Sequence, residues 1–140
     1  MVTREHFAIH LLDAVGAPAS KRNLYALVSW MQAEGSRARF NPLATTLPWP
    51  GATNFNSVGV KNYPALVDGI AATARTLNYG ADRDLYGYEA IRSRMRRNFR
   101  PGRTLRAVES SEWGTGGLAL DCLPAIKSHW DYYRSLEITS

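Results

Sequence analysis

Residues 36–63 constrain the fold of this chain more than any other part of its sequence. The segment contains no aspartate or glutamate, and it has three prolines and several asparagines and glycines. This composition favours loops and turns over helix. Its best strand candidate is "SVGVKNY", residues 57–63. Apolar residues recur at helical spacing on both sides of it. The sequence therefore predicts a mostly helical α+β domain, with a loop and a small hairpin inserted after the second helix.

The predicted helices are bounded by residues that commonly start and stop helices. Thr3 is expected to cap a first helix that runs to about Val15, and Ser20 to cap a second helix that Gly35 ends. Helical spacing resumes at Pro64, which suits the first turn of a third helix. Further helices are expected over three stretches, at about residues 86–98, 105–110 and 118–134.

The bulk properties exclude several classes of protein. A length of 140 residues suits a single domain, and the one cysteine excludes an internal disulfide. No apolar run approaches the ~18 residues that a membrane span requires. Arg4, Glu5 and His6 interrupt any hydrophobic region of a signal peptide. We therefore expect a domain, 1–140, that is made in a cytoplasm and does not enter the secretory pathway by itself.

Glu34 lies on the predicted core-facing side of the second helix. Leu24, Leu27, Val28 and Met31 are spaced three and four residues apart, and the same stripe continued by one step meets Glu34. The helix macrodipole disfavours an anion in the last turn, and burial of a carboxyl group raises its pKa. These are the conditions for a general acid that keeps its proton near neutral pH. The alternative is a partly exposed glutamate that follows a well-formed helix.

Several short motifs resemble, in order and spacing, the lysozyme-like superfamily of peptidoglycan glycosidases. Glu34 followed by Asn41-Pro42 resembles a pattern of soluble lytic transglycosylases, and "SVGVKNYP" resembles a cleft-wall segment in its family-73 glucosaminidase form. "LVDGIAATARTL" is similar to a helix that carries packing residues in this superfamily. "WGTGG", residues 113–117, resembles a turn common in lysozyme-like domains of actinobacteriophages. The resemblance covers about residues 20–117 and extends to goose-type lysozymes.

The resemblance implies a lysozyme-like fold with a cleft between the second helix and the hairpin, formed by about residues 30–64, and with Glu34 as the catalytic acid. The side chains expected to bind the glycan are amide, hydroxyl and aromatic groups: Asn41, Thr45, Thr46, Trp49, Asn56, Ser57 and Tyr63. Each also has a structural interpretation, because asparagine is common in caps and turns and aromatic rings are common in cores. For Trp49 and Tyr63 the sequence does not decide between the two.

The candidate cleft segment offers a single carboxylate, because no aspartate or glutamate lies between Glu34 and Asp68. Lysozymes that hydrolyse their substrate use two carboxyl groups, about 5 Å apart in retaining enzymes and about 6.5–9.5 Å apart in inverting ones. Later carboxylates such as Glu109 and Glu112 are not placed by the sequence. A one-carboxylate cleft favours lytic transglycosylation slightly over a hydrolysis in which hydroxyl groups orient the water.

The function expected from these residues and this resemblance is cleavage of the β-1,4-linked glycan of bacterial peptidoglycan, with no cofactor and no metal. The similarity to phage domains implies an endolysin or a virion-associated wall hydrolase, which acts at the cell wall or is carried in the particle beside other tail proteins. The rival hypothesis is a structural or glycan-binding virion protein that keeps the fold without activity, since a fold does not establish an activity.

Seven arginines are concentrated in residues 92–106 of a chain with net charge +5 and a pI near 9.7. A basic surface suits a polyanion. Three interpretations remain: a solvated helix with local partners, attraction to wall teichoic acids or peptide carboxylates of peptidoglycan, and DNA binding. Nucleic acid is not favoured, because no helix-turn-helix or zinc pattern accompanies the arginines. His6 and His10 have a spacing that suits zinc, but no third ligand lies close in the sequence.

Overall fold

A computed structural model gives the structure of residues 1–79 and 82–140. In these ranges the helices are α1 (Arg4–Val15), α2 (Lys21–Glu34), α3 (Leu66–Leu77), α4 (Glu89–Arg96), α5 (Pro101–Ser110), α6 (Leu118–Ser128) and α7 (Trp130–Arg134). Two short strands, β1 (Thr53–Asn54) and β2 (Lys61–Asn62), form an antiparallel pair. The prediction of a mostly helical α+β chain with a hairpin after the second helix is confirmed.

The first two helices begin and end at the predicted residues. The hydroxyl of Thr3 accepts the His6 N–H at 3.1 Å, and that of Ser20 accepts the Asn23 N–H at 3.2 Å. Gly35 follows α2 in the left-handed conformation, with φ 56°, where it lacks the side chain that would strain this geometry. Local chemistry therefore determines the last turn of α2, which carries Glu34.

The hydrophobic core surrounds α2, which packs against α1, α5 and α6. The stripe predicted to face the core is buried in the structure: Leu24, Leu27, Val28 and Met31. A single buried cluster draws side chains from each of α1 to α6, together with Ile138 near the C-terminus. The core thus surrounds α2, which packs against α5 and ends at Glu34.

Other helix ends differ from the prediction. Pro64 precedes α3, which begins at Leu66, and α5 begins earlier than expected because Pro101 occupies its first turn, where a missing N–H costs nothing. The helix expected over residues 118–134 is divided at His129, whose backbone leaves the helical region at φ −123° and ψ 44°. Among residues 1–79 and 82–140, the structure contains no helix with the length and apolar character that a membrane crossing requires.

Candidate functional site

Glu34 is half-buried at the end of α2. Burial raises the pKa of its carboxyl group from 4.5 to about 7, because the charged form loses solvation. The nearby Trp30 indole N–H acts in the opposite direction and lowers this pKa, and the negative charge of Glu109 raises it. Near neutral pH a large share of Glu34 therefore carries a proton, which is the state that a general acid needs.

The Trp30 indole N–H is buried and forms no hydrogen bond of good geometry with any described residue. Trp30 lies one turn before Glu34 in α2 and is 1% exposed. A buried N–H without a partner costs free energy, which an acceptor at this position would recover. The end of α2 thus places the Glu34 carboxyl group close to an indole N–H that no described acceptor satisfies with good geometry.

Glu109, near the end of α5, is the second carboxylate of this region. One of its oxygens, Oε1, accepts the Thr115 N–H at 2.8 Å and the Thr115 hydroxyl at 2.6 Å, while Oε2 accepts the Gly117 N–H. Both oxygens are therefore engaged in holding the turn over residues 113–117. The sequence shows Glu109 six residues before Thr115, but it contains no signal that this carboxylate lies near Glu34.

A row of aromatic rings runs from the end of α2 to the loop after α3. Successive ring centroids lie 4.9, 5.6, 5.6 and 5.7 Å apart along the series Trp30, Trp113, Tyr88, Tyr86 and Tyr79. Packing of this kind fixes ring orientation and contributes beyond the area it buries. The row connects the surroundings of Glu34 to a surface groove.

That groove consists of two adjoining hollows of about 270 and 190 Å³. The hollows share one wall, which is made by Thr45, Thr46, Thr76 and Tyr88. The first hollow extends past the other aromatic and loop residues, Leu47, Pro48, Tyr79 and Tyr86. The second extends to Ala44, Glu112 and Trp113. Hydroxyl groups beside flat apolar faces suit a carbohydrate, and we call this surface the tyrosine groove.

The position of the tyrosine groove differs from the predicted cleft. Its walls come from the loop after α2, from α3 and from the segments that flank α4 and α5, whereas the cleft was expected between α2 and the hairpin. Glu34 is not among the described residues that line it; Trp113, which lines the groove, packs its ring edge-on against Trp30. The tyrosines that line it were not predicted as site residues, although Tyr79, Tyr86 and Tyr88 are grouped in the sequence.

Two of the seven predicted glycan-binding side chains, Thr45 and Thr46, line this groove, whereas Trp49 does not. Thr46 is exposed in the groove, and Thr45 lines it but is 2% exposed, with its hydroxyl 2.5 Å from that of Thr76. Trp49 packs against α3, where its indole N–H donates to Asp68 at 3.0 Å and the Arg75 guanidinium lies 5.9 Å from its ring. Of these three, Thr46 is exposed, Trp49 is half-buried and Thr45 is buried.

Asn41 and Tyr63, which were expected to bind the glycan, are buried in the structure. The Asn41 amide accepts the Thr45 N–H at 3.0 Å and donates to the carbonyls of Thr45 and Lys61 at 2.9 and 2.8 Å. The Tyr63 hydroxyl donates to the Leu47 carbonyl at 2.8 Å, and burial raises the pKa of Tyr63 to about 12. Both side chains shape the loop instead of presenting free groups, because their polar atoms are already used.

Asn56 and Ser57 lie at the exposed tip of the hairpin. The Asn56 side-chain oxygen accepts the Val60 N–H at 3.0 Å and closes the turn. Phe55 and Val58 beside them are 44% and 76% exposed. The structure does not bring this tip together with the tyrosine groove, so the predicted substrate residues occupy several separate places.

The described residues contain no group of three or more His, Cys, Asp or Glu side chains arranged to hold a metal ion. His6 and His10 are exposed on α1, with their Nε2 atoms 2.9 Å apart. The site itself offers a carboxyl group with a raised pKa, hydrogen-bond donors and aromatic faces.

Comparisons of this chain with family models, with characterised proteins and with solved structures gave no match.

Proposed function

We propose that the chain has a lysozyme-like fold and cleaves the β-1,4-linked glycan of peptidoglycan, with Glu34 as the general acid. The observation that carries this proposal is the half-buried Glu34 carboxyl group, whose pKa is raised to about 7 at the end of a helix that packs in the core. The motifs after Glu34 support it by their resemblance to lytic transglycosylases and lysozymes. No cofactor is required for this chemistry.

The proposed reaction is lytic transglycosylation. Glu34 donates its proton to the glycosidic oxygen as the bond to the anomeric carbon breaks. The same carboxylate then takes the proton of the muramoyl C6 hydroxyl, whose oxygen bonds to that carbon and forms a 1,6-anhydro ring. One carboxylate performs both proton transfers, and no water is consumed. Glu109 is not the second acid in this scheme, because both of its oxygens already accept hydrogen bonds from the turn over residues 113–117.

The tyrosine groove is the proposed place for sugars next to the cleaved bond. Its tyrosine faces can cover the apolar faces of sugar rings, while Thr46 and Glu112 supply polar atoms at its rim. The setting implied by the resemblance to phage domains is the bacterial cell wall, reached as an endolysin or as a part of a virion in contact with other tail proteins.

A second candidate is a glycan-binding or structural virion protein without activity. It is favoured by one observation, that the described residues lining the tyrosine groove do not include Glu34. In that case the groove binds sugars while Glu34 serves only the packing of α2.

Digestion of purified peptidoglycan by the wild type and by Glu34→Gln, with products resolved by mass spectrometry, separates the two candidates. The amide keeps the shape of the side chain but cannot donate a proton as a carboxylic acid does. The cleavage proposal expects anhydro-muramoyl ends from the wild type and none from the variant. Reducing ends among the products would mean that the wild type hydrolyses the glycan and does not transglycosylate it. Glycan that stays intact but still binds both proteins would favour the second candidate.

A further inference from the structure

A groove of about 680 Å³ lies where the start of α5 meets α2 and α6, on a different set of residues from the tyrosine groove. We call it the basic groove. Five cationic side chains line it, and all of them are exposed: Arg22, Arg100, Arg103, Arg106 and Lys127. None of its described lining residues is acidic. The cations come from three helices and from the residue that precedes α5, so the positive charge converges on a hollow and does not follow one helix face.

No ion pair among the described residues neutralises a cation of the basic groove, although Asp84 lines an adjoining hollow with Arg103 and Arg106. The ion pairs found within residues 1–79 and 82–140 involve Arg83, Arg92 and Arg134, and none includes a cation of this groove. The one described polar contact of the Arg22 guanidinium is to the Asn98 carbonyl at 3.2 Å. The five cations outnumber the Asp84 carboxylate and raise the local potential, which attracts a polyanion.

The first turn of α5 adds to this attraction. Arg100 precedes the helix without capping it through its side chain, and Pro101 occupies its first turn. Beyond its chain neighbours and its own helix, a Cβ atom added to Gly102 would meet nothing within 4 Å, so there is free space beside the backbone there. The N-terminal end of this ten-residue helix carries a partial positive charge, which complements the arginines around it.

Protein groups already pack against the aromatic rings beside these cations. Guanidinium carbons of Arg103, Arg97 and Arg94 lie 4.3, 5.2 and 5.9 Å from the centroid of the Phe99 ring. Tyr25, which lines the groove, is packed edge-on against another ring, that of Trp130, at 4.9 Å. Single-stranded nucleic acids bind proteins by stacking bases on free aromatic faces, and this groove offers few.

Duplex DNA is also a poor match for the basic groove. Proteins that read a duplex commonly insert one helix or one ribbon that presents its contacts along a single row. Here Arg22 is on α2, Lys127 is on α6, and Arg103 and Arg106 are on α5. The arrangement fits a flexible chain of phosphates that has no bases to place.

We propose that the basic groove binds a linear polyol phosphate, an anionic polymer of phosphodiesters without bases. The arginines provide paired donors for phosphate oxygens, and the open start of α5 accepts a phosphate close to the backbone. The choice of a wall polymer over other base-free phosphate chains rests on the proposed function, whereas the groove itself does not depend on Glu34. Binding of such a polymer holds the protein on an anionic wall while the glycan is cleaved elsewhere on its surface.

The test compares two double variants that lose the same charge. Arg103→Gln/Arg106→Gln removes two cations from the groove, and Arg37→Gln/Arg39→Gln removes two exposed cations that do not line it. Binding of end-labelled poly(glycerol phosphate) is measured by fluorescence anisotropy over a range of salt concentrations. Single-stranded and duplex DNA with the same number of phosphates serve as competitors, and thermal unfolding verifies that each variant is folded.

We expect the groove variant to bind about tenfold more weakly or worse, and its salt slope to fall by about 1.4, which is about 0.7 for each of two lost phosphate contacts. The control variant should stay close to the wild type. Equal losses in both variants would show that net charge alone binds the polymer and would overturn the proposal. Tighter binding of either DNA, lost in the groove variant, would overturn the assignment of the ligand, as would the absence of binding at low salt.

Two further measurements separate this proposal from the proposed function. Glu34→Gln should bind poly(glycerol phosphate) like the wild type, and the groove variant should still digest glycan that has been stripped of anionic polymers. If the wild type binds the polymer but releases no muropeptides, the cleavage proposal fails and the binding proposal stands. If it digests stripped glycan but binds no polymer, the binding proposal fails and the cleavage proposal stands.

Discussion

The Trp113 indole N–H donates a hydrogen bond to the Leu43 carbonyl at 3.0 Å, across 70 residues of sequence. The bond ties the turn after α5 to the loop after α2. In the same place the Trp113 ring packs between Trp30 and Tyr88. One side chain therefore connects the end of α2 with the tyrosine groove.

Trp113→Phe should keep the ring packing and lose the hydrogen bond. We expect the free energy of unfolding to fall by about 1–2 kcal/mol, because the Leu43 carbonyl is left without its donor. Urea denaturation measures the loss. Trp130→Phe is the matched control, since the described contacts of Trp130 include ring packing but no hydrogen bond from its indole nitrogen. An equal loss in both variants would mean that ring size alone matters.

Asn41→Ala should destabilise the fold by about 2–4 kcal/mol, because the buried amide makes three hydrogen bonds that hold the loop. Asn56→Ala removes one exposed hydrogen bond at the hairpin tip and should cost about 1 kcal/mol or less. Thermal unfolding of both variants, followed by a glycan-binding assay, is the measurement. An Asn41→Ala protein of normal stability with lost glycan binding would restore the original expectation of a direct contact.

Gly69→Ala tests the close approach between α3 and the loop after α2. A Cβ atom at Gly69 would lie 1.9 Å from the Phe40 carbonyl oxygen, which belongs to the backbone and cannot move aside without shifting the loop. We expect a loss of about 3 kcal/mol or more. Gly102→Ala meets nothing within 4 Å and lies within α5, so it should be neutral or stabilising by up to about 1 kcal/mol. Similar stability of the two variants in urea would contradict the close approach of α3 to Phe40.

The local elements of the fold could be predicted from the sequence because single residues determine them. Thr3 and Ser20 cap helices through their own hydroxyls. Gly35 ends α2 in a left-handed conformation that is unfavourable for other residues. The breaks that were mispredicted depend on more than residue type. Pro101 starts α5 earlier than the apolar spacing predicts, and His129 divides a continuous apolar pattern.

The site was less predictable, because its geometry arises from contacts between distant segments. Burial of Glu34 followed from helical spacing, but the charge of Glu109 beside it comes from α5, and no pattern links the two. Asn41 has the residue type of a sugar ligand, yet its partners are backbone groups of residues 45 and 61. Residue type indicates which bonds a side chain can make, and only the fold decides which it makes.

The raised pKa of Glu34 predicts a pH dependence of stability with a definite sign. The folded state holds this proton up to about pH 7, while the unfolded carboxyl group loses it near pH 4.5. The folded protein therefore binds more protons between these values, so its stability falls as the pH rises from about 4.5 to 7 and then levels off. We expect a fall of about 1–2 kcal/mol, which is less than a fully buried carboxyl group would give because solvent screens the half-buried one.

Glu34→Gln should remove this fall, because the amide has no proton to lose, and should leave the variant more stable than the wild type at about pH 8. Urea denaturation between about pH 4.5 and pH 8 gives the two curves. Asp13→Asn makes the same chemical change at an exposed carboxylate and should follow the wild type. If the Glu34→Gln curve also runs parallel to the wild type, Glu34 is ionised in the folded protein at neutral pH. Its assignment as the general acid would then lack its electrostatic basis, even if the variant proved inactive.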